Sequence, residues 1–172
     1  MHSVEETIEI AVPVSTAYNQ WTQFAGFPRF MRTVRKVDQV RPTLTTWTIT
    51  AGPVRREFQA EILEQEPDSH VTWRSLERRS AHRGEVTFRP AAAGGTEMTV
   101  RIHVEPRGVT GVLAGVPRLA DRVVRDELRR FKEYIEGLGE ETGAWRGTIH
   151  GGRVRPEEAK PHRSRVARWP VG

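Results

Sequence analysis

The sequence contains no cysteine, only three lysines and no long hydrophobic run. The lack of cysteine excludes disulfides, thiolate catalysis and metal sites with thiolate ligands. No segment approaches the ~18 consecutive apolar residues that a membrane-spanning helix needs. The first residues also lack the basic stretch followed by an apolar stretch that marks a secretory signal. We therefore expect a cytoplasmic protein, and the 172 residues fit one domain of ordinary size.

The common motifs of catalysis and nucleotide binding are also missing. The chain has no G-x-S-x-G elbow, no H-E-x-x-H pair, no phosphate-binding P-loop and no G-x-G-x-x-G after a predicted strand. Its six histidines do not cluster at the spacing of metal ligands. We expect neither a metal nor a cofactor.

The positive charge is confined to one end of the chain. Residues 1–144 contain 20 basic and 20 acidic residues, whereas residues 145–172 contain seven basic residues and two acidic ones. The net charge of +5 therefore describes a basic tail on a neutral domain, which is poor evidence for specific nucleic-acid binding. Such a tail would touch anionic surfaces only weakly, with strong salt dependence.

Two patterns predict an α+β fold. Apolar residues alternate with polar ones near the N-terminus and again between about residues 34 and 106, which is typical of half-buried antiparallel strands. After the first strand, Ser15 can cap a short helix over about residues 16–24, and a second short turn or helix follows. An apolar stripe at helical spacing over about residues 117–138 predicts a long helix that covers the sheet.

The last residues match neither pattern. Glycine pairs, prolines and scattered arginines leave too few apolar side chains to offset the entropy of ordering. We predict a folded domain over residues 1–140 and a basic tail over residues 141–172, disordered from about residue 147.

One helix cannot easily fill the concave face of a curved sheet of about seven strands, so we expect an apolar cavity between them. Several polar or amphipathic side chains share the inward phase of the strands or lie on the first helix. They are Glu6, Tyr18, Trp47, Arg56, Trp73, Ser75 and His82.

Each of these side chains also has a purely structural interpretation. Arg56 would reach solvent at the rim or pair with Glu6, His82 would be exposed beside a charged loop, and the tryptophans and Tyr18 would pack in the core. A buried arginine, however, needs a partner, and a ligand oxygen is one of few acceptable partners.

Two segments carry a family resemblance. The stretch from Val12 to Trp21 followed by Phe27-Pro28-Arg29-Phe30-Met31, and the later stretch from Asp126 to Ile135, resemble the polyketide cyclase/dehydrase group. That group belongs to the START-like (SRPBCC, helix-grip) superfamily, which also includes coenzyme Q-binding proteins. The resemblance covers about residues 3–138 and implies a helix-grip fold.

The resemblance also implies a deep hydrophobic cavity whose few polar groups act on a bound polyketide. Arg56, His82 and Tyr18 are then the candidate catalytic residues. The other predicted ligand-binding residues are Glu6, Trp47, Phe58, Trp73, Ser75, Val86, Met98 and Val123.

Three functions remain open from the sequence. The first is binding of a hydrophobic metabolite by an aromatic polyketide cyclase/dehydratase. In this case Arg56 would stabilise an enolate, while His82 or Glu6 would move the proton. The second is a non-catalytic carrier or chaperone of a quinone or lipid-like metabolite. The third is an interaction module that uses the basic tail. We expect a monomer or a homodimer.

Overall fold

The computed structural model describes residues 2–77, 81–105 and 116–155. Nine strands and two α-helices lie in these ranges. The elements, in chain order, are β1 (His2–Ile10), α1 (Val14–Trp21), β2 (Val34–Arg41), β3 (Leu44–Ala51), β4 (Val54–Glu66), β5 (His70–Ser75), β6 (His82–Pro90), β7 (Thr96–Val104), α2 (Val116–Leu138), β8 (Thr148–His150) and β9 (Arg153–Arg155). A 3₁₀ helix, Phe24–Arg29, lies between α1 and β2, and another, Ala92–Gly94, joins β6 to β7.

The strands form one antiparallel sheet in the order β1-β7-β6-β5-β4-β3-β2. β2 to β7 are a meander, and β1 closes it by pairing with β7 from His2 opposite Val104 to Ile10 opposite Thr96. The helices α1 and α2 contribute buried side chains to the same core as the strands. This arrangement confirms the predicted α+β fold, with a long helix against a sheet of about seven main strands.

Alternation of side chains along the strands explains which face of the sheet is covered. In β7, Thr96, Met98 and Val100 are buried, whereas Glu97 and Thr99 between them are partly exposed. A side-chain period of two places the apolar set on one face.

In α2, Leu128, Phe131 and Ile135 are buried at spacings of three and four residues. These spacings form one helical stripe, which is the face turned to the core. No helix in the described ranges is both long enough and apolar enough to span a membrane.

The predicted start of the first helix is wrong in detail. The helix begins at Val14 with Pro13 in the N-cap position, and no side chain caps it. Proline fixes φ at a value compatible with entry into a helix, and Ser15 lies inside the helix as its second residue and not at its cap. The second short element is the 3₁₀ helix, which ends just before Phe30.

The predicted disorder from residue 147 is wrong for residues 148–155, which form the β8–β9 hairpin. β3 begins opposite Glu61, so the last residues of β4 extend beyond the end of β3. β8 pairs with this part of β4, with Ile149 opposite Gln65. The side chain of Ile149 is only 1% exposed. The prediction of a basic tail beyond the hairpin stays a prediction, because residues 156–172 lie outside the described residues.

The segment before this hairpin is bound to α1. The guanidinium of Arg146 donates two hydrogen bonds to the carboxylate of Asp68, at 2.9 and 2.8 Å, and a third to Asn19 Oδ1 at 2.8 Å. The side chain of Asn19 donates in turn to Glu141 Oε1 at 2.9 Å. Residues 141–150 are therefore part of the folded domain.

Candidate functional site

An apolar cavity of about 230 Å³ lies between the sheet and the first half of α2. The second half of α2 covers a filled core instead, because Phe131 and Ile135 pack there without exposed surface. Most side chains around the cavity are aliphatic or aromatic. The aromatic ones are Trp21, Phe24, Phe27, Trp47, Phe58 and Trp73, and the polar ones are Thr33, Thr45, His82 and Glu127.

Trp47 is the centre of the aromatic wall. The centroid of its ring lies 5.4 Å from the ring centroid of Phe27, with the two rings at a steep angle, and 6.1 Å from that of Phe58, with the two rings parallel. The indole Nε1 donates to Thr45 Oγ1 at 2.7 Å, and this hydroxyl donates to the carbonyl of Ala60 at 3.1 Å. Because these polar atoms satisfy one another, the wall offers an occupant mainly apolar surface.

Trp73 lies against the backbone of the neighbouring strand β6. It is opposite Gly84 in the register, and a methyl group added to Gly84 would lie 2.1 Å from Trp73 Cζ2. No side chain can be accommodated at this distance. Glycine at residue 84 therefore allows the indole to lie close to the sheet and leaves room for the cavity.

His82 is the imidazole of the cavity wall. The centroids of the His82 and Phe58 rings lie 4.9 Å apart, and the two ring planes are nearly perpendicular, at 87°. Its backbone N–H donates to Ser75 Oγ at 2.9 Å. An imidazole can both accept and donate a proton, so a side chain of this type on the wall is suited to acid–base chemistry in the cavity.

Glu127 is an acidic side chain on the cavity wall and is 7% exposed. Its Oε1 accepts a hydrogen bond from the backbone N–H of Arg32 at 3.2 Å and lies 3.9 Å from Arg130 Nε. Its Oε2 is buried and has no hydrogen-bond partner among the described residues. Burial raises the pKa of Glu127, while the backbone N–H groups of Arg32 and Thr33 and the charge of Arg130 oppose that rise.

Sequence reasoning missed Glu127, although a signal was present. It lies four residues after Val123 and four before Phe131, in the apolar stripe of α2. A carboxylate in such a stripe is an exception to the pattern, and it faces the interior for the same geometric reason as its neighbours.

The structure brings five of the predicted site residues to the cavity wall: Trp47, Phe58, Trp73, His82 and Val123. Their common position confirms neither catalysis nor binding, so their roles stay predictions.

Two predicted catalytic residues lie elsewhere. Arg56 is exposed near the beginning of β4, opposite Ile49, and is not among the residues that line the cavity. It shares the strand phase of Phe58, but the first residues of β4 are exposed. Tyr18 has no exposed surface and packs edge-on against Phe88 at 5.5 Å. Burial raises the pKa of Tyr18 to about 12.

The remaining predicted ligand contacts also lie outside the cavity lining. Glu6 pairs with Arg125 at 3.1 Å in a groove between β1 and α2, not with Arg56 as considered. Ser75 binds the backbone of His82. Val86 and Met98 have no exposed surface and belong to the filled half of the core, where α1 and the end of α2 occupy the space under the sheet.

In the described part of the chain, no group of three or more histidine, aspartate or glutamate side chains is placed to hold a metal ion. His82 and Glu127 are the titratable side chains among the residues that line the cavity, and most of the side chains around them are apolar.

Comparisons with known proteins find a family and a relative of similar length. The model of the family "Polyketide cyclase / dehydrase and lipid transport" matches residues 10–133. A 17.2 kDa protein of Streptomyces lincolnensis is 42% identical over 149 residues, which are 87% of this chain and 99% of that protein.

Two solved structures show the same fold. A Deinococcus radiodurans protein is 31% identical, with a TM-score of 0.62 over 80% of this chain and 98% of that one. The ZhuI aromatase/cyclase of Streptomyces sp. R1128 is 15% identical, with a TM-score of 0.68 over 83% of this chain and 98% of its own.

Proposed function

The chain belongs to the polyketide cyclase/dehydrase and lipid transport family, and on this basis we propose that its cavity binds one hydrophobic small molecule. The aromatic wall supports this proposal most directly, because its polar atoms bond one another and leave apolar surface facing an open space. A volume of about 230 Å³ is slightly below the usual range for ligand pockets. The cavity therefore suits a compact ligand, such as a small aromatic or quinone-like molecule.

Binding of a fluorescent naphthalene-type probe tests the proposal. We expect saturable binding that quenches tryptophan emission, because Trp47 and Trp73 line the cavity. Binding should persist in about 0.5 M salt, since the contact is apolar and not ionic. A salt-sensitive, non-saturable signal would contradict a cavity site.

A matched pair of substitutions locates the probe. Ala60 lines the cavity and is 3% exposed, so Ala60→Leu places three further carbons in the ligand's space. Ala25 is exposed on the 3₁₀ helix, and Ala25→Leu adds the same atoms outside the cavity. We expect the first variant to lower probe affinity at least about tenfold and the second to leave it unchanged. Equal affinities would place the probe elsewhere.

A second candidate function is cyclisation and dehydration of a poly-β-ketone. The imidazole of His82 on the cavity wall favours it, since such a reaction needs a base for an acidic methylene and an acid for a departing hydroxyl. ZhuI, whose fold this chain shares, is an aromatase/cyclase.

Substitution of His82 separates the catalyst from a carrier of a quinone or lipid-like molecule. In a catalyst, His82→Gln should lower turnover of a poly-β-ketone thioester about 10² to 10⁴-fold and change its affinity little. In a carrier, no turnover is measurable in the wild-type protein, and native mass spectrometry of protein from its own host should find an unchanged ligand.

A further inference from the structure

Glu127 presents a buried oxygen that no residue in the described ranges satisfies. Its side chain is 7% exposed, and its Oε2 has no hydrogen-bond partner among the described residues. An unsatisfied buried polar atom costs about 1–3 kcal/mol and more when it is charged. Such an atom on a cavity wall is satisfied when an occupant supplies the partner.

The other oxygen of Glu127 is already occupied. Oε1 accepts the N–H of Arg32 at 3.2 Å and faces Arg130 Nε at 3.9 Å. Both contacts favour the ionised carboxylate and oppose the rise in the pKa of Glu127 that burial causes, and Oε2 remains for the occupant. A ligand hydroxyl that donates to Oε2 would favour the ionised form further. An ionised carboxylate only accepts hydrogen bonds, so the complementary ligand atom carries a proton.

The chemistry around Glu127 limits the rest of the ligand. Val123, Val124 and Leu128 beside it on α2 are apolar, and they line the same cavity. A charged ligand group placed against these three side chains would have no partner there. The part of the complementary molecule that meets α2 is therefore apolar apart from the group that meets Glu127.

We propose that Glu127 is the specificity-determining residue of the cavity, and that its Oε2 accepts a hydrogen bond from the hydroxyl group of a phenol-like or enol-like ligand. This inference rests on the proposed function, because it presupposes an apolar molecule in the cavity. It narrows the substrate class to hydroxylated aromatic or enolic molecules.

The test compares 2-naphthol with 2-methoxynaphthalene, which differ in the hydroxyl proton and one methyl group, and with 2-acetylnaphthalene, which only accepts. Affinities are measured from tryptophan quenching. The wild-type protein should bind 2-naphthol at least about tenfold more tightly than either other probe, the strength expected of a hydrogen bond to a charged group. Preference for 2-acetylnaphthalene would overturn the proposal, since it would show a protonated, donating Glu127.

Two variants test whether the preference belongs to Glu127. In Glu127→Gln, the N–H of Arg32 selects the amide oxygen as its acceptor, so the amide NH₂ takes the place of Oε2 and donates. The preference for 2-naphthol should then disappear. Glu133→Gln removes a carboxylate from the exposed face of the same helix and should leave the preference unchanged.

The outcomes separate this inference from the proposed function. If no probe binds saturably, the proposed function fails. If all three bind with equal affinity to the wild-type protein, the cavity is a binding site and the role of Glu127 is wrong, a result that needs no variant. If the melting curve shows that Glu127→Gln does not fold, Glu127→Asp takes its place in the test. Aspartate keeps the charge, but its carboxylate lies one methylene further from the ligand. A full preference for 2-naphthol in Glu127→Asp would also overturn the proposal.

Discussion

The β8–β9 hairpin should contribute measurably to stability, and Ile149 allows the contribution to be measured. Its side chain is 1% exposed and packs in the core. Ile149→Ala removes three buried carbons, worth about 0.8 kcal/mol each in transfer free energy, and leaves a cavity that adds to the cost. We expect the free energy of unfolding to fall by about 2–4 kcal/mol. For a chain of this size, that loss lowers the melting temperature by roughly 5–15 °C.

Val154 provides the control for Ile149. It pairs with Ile149 across the hairpin but is 44% exposed, so Val154→Ala should cost less than about 1 kcal/mol. Chemical denaturation and calorimetry of both variants measure the difference. Equal and small effects of the two substitutions would show that the hairpin does not pack on the domain in solution. The conclusion that residues 148–155 belong to the folded domain would then be refuted.

The strands and the long helix could be predicted from sequence because each has one covered face. The alternation in β7 and the stripe in α2 reflect that cover directly, and burial in the structure follows both patterns. The hairpin could not be predicted in this way. It is attached mainly by the backbone of β4, by Ile149 and by the ion pair of Arg146 with Asp68, and composition shows none of these contacts.

The candidate site could be predicted only in part. The phase of a strand shows which face of the sheet a residue lies on, but it does not show how far along the strand the cavity extends. Arg56 and Phe58 share a phase in β4, yet Phe58 lines the cavity and Arg56 is exposed near the beginning of the strand. Val86 and Met98 also face inward, but they lie under the half of the sheet that the helices fill. Which half stays open depends on how α1 and α2 cross the sheet, and this is a property of the packed structure.

Three further predictions concern the cavity. Arg56→Ala should change probe affinity by less than about twofold relative to the wild-type protein in a fluorescence titration, because Arg56 is exposed and does not line the cavity. A larger loss of affinity would show that Arg56 contributes to the binding site. Burial raises the pKa of Glu127, so the native state binds its proton more tightly than the unfolded state, and stability falls as pH rises from the ordinary pKa to the native one. The melting temperature of Glu127→Gln relative to wild type should therefore increase as the pH rises above the ordinary pKa of glutamate; a constant difference would contradict this. Finally, Gly84→Ala places a methyl group 2.1 Å from Trp73 Cζ2, so the indole, which lines the cavity, must move. We expect a destabilisation of about 1–3 kcal/mol together with weaker probe binding, whereas Gly26→Ala, where a methyl group meets no atom within 4 Å, should leave probe affinity unchanged. Unchanged probe affinity in Gly84→Ala would show that Trp73 does not limit the ligand's space.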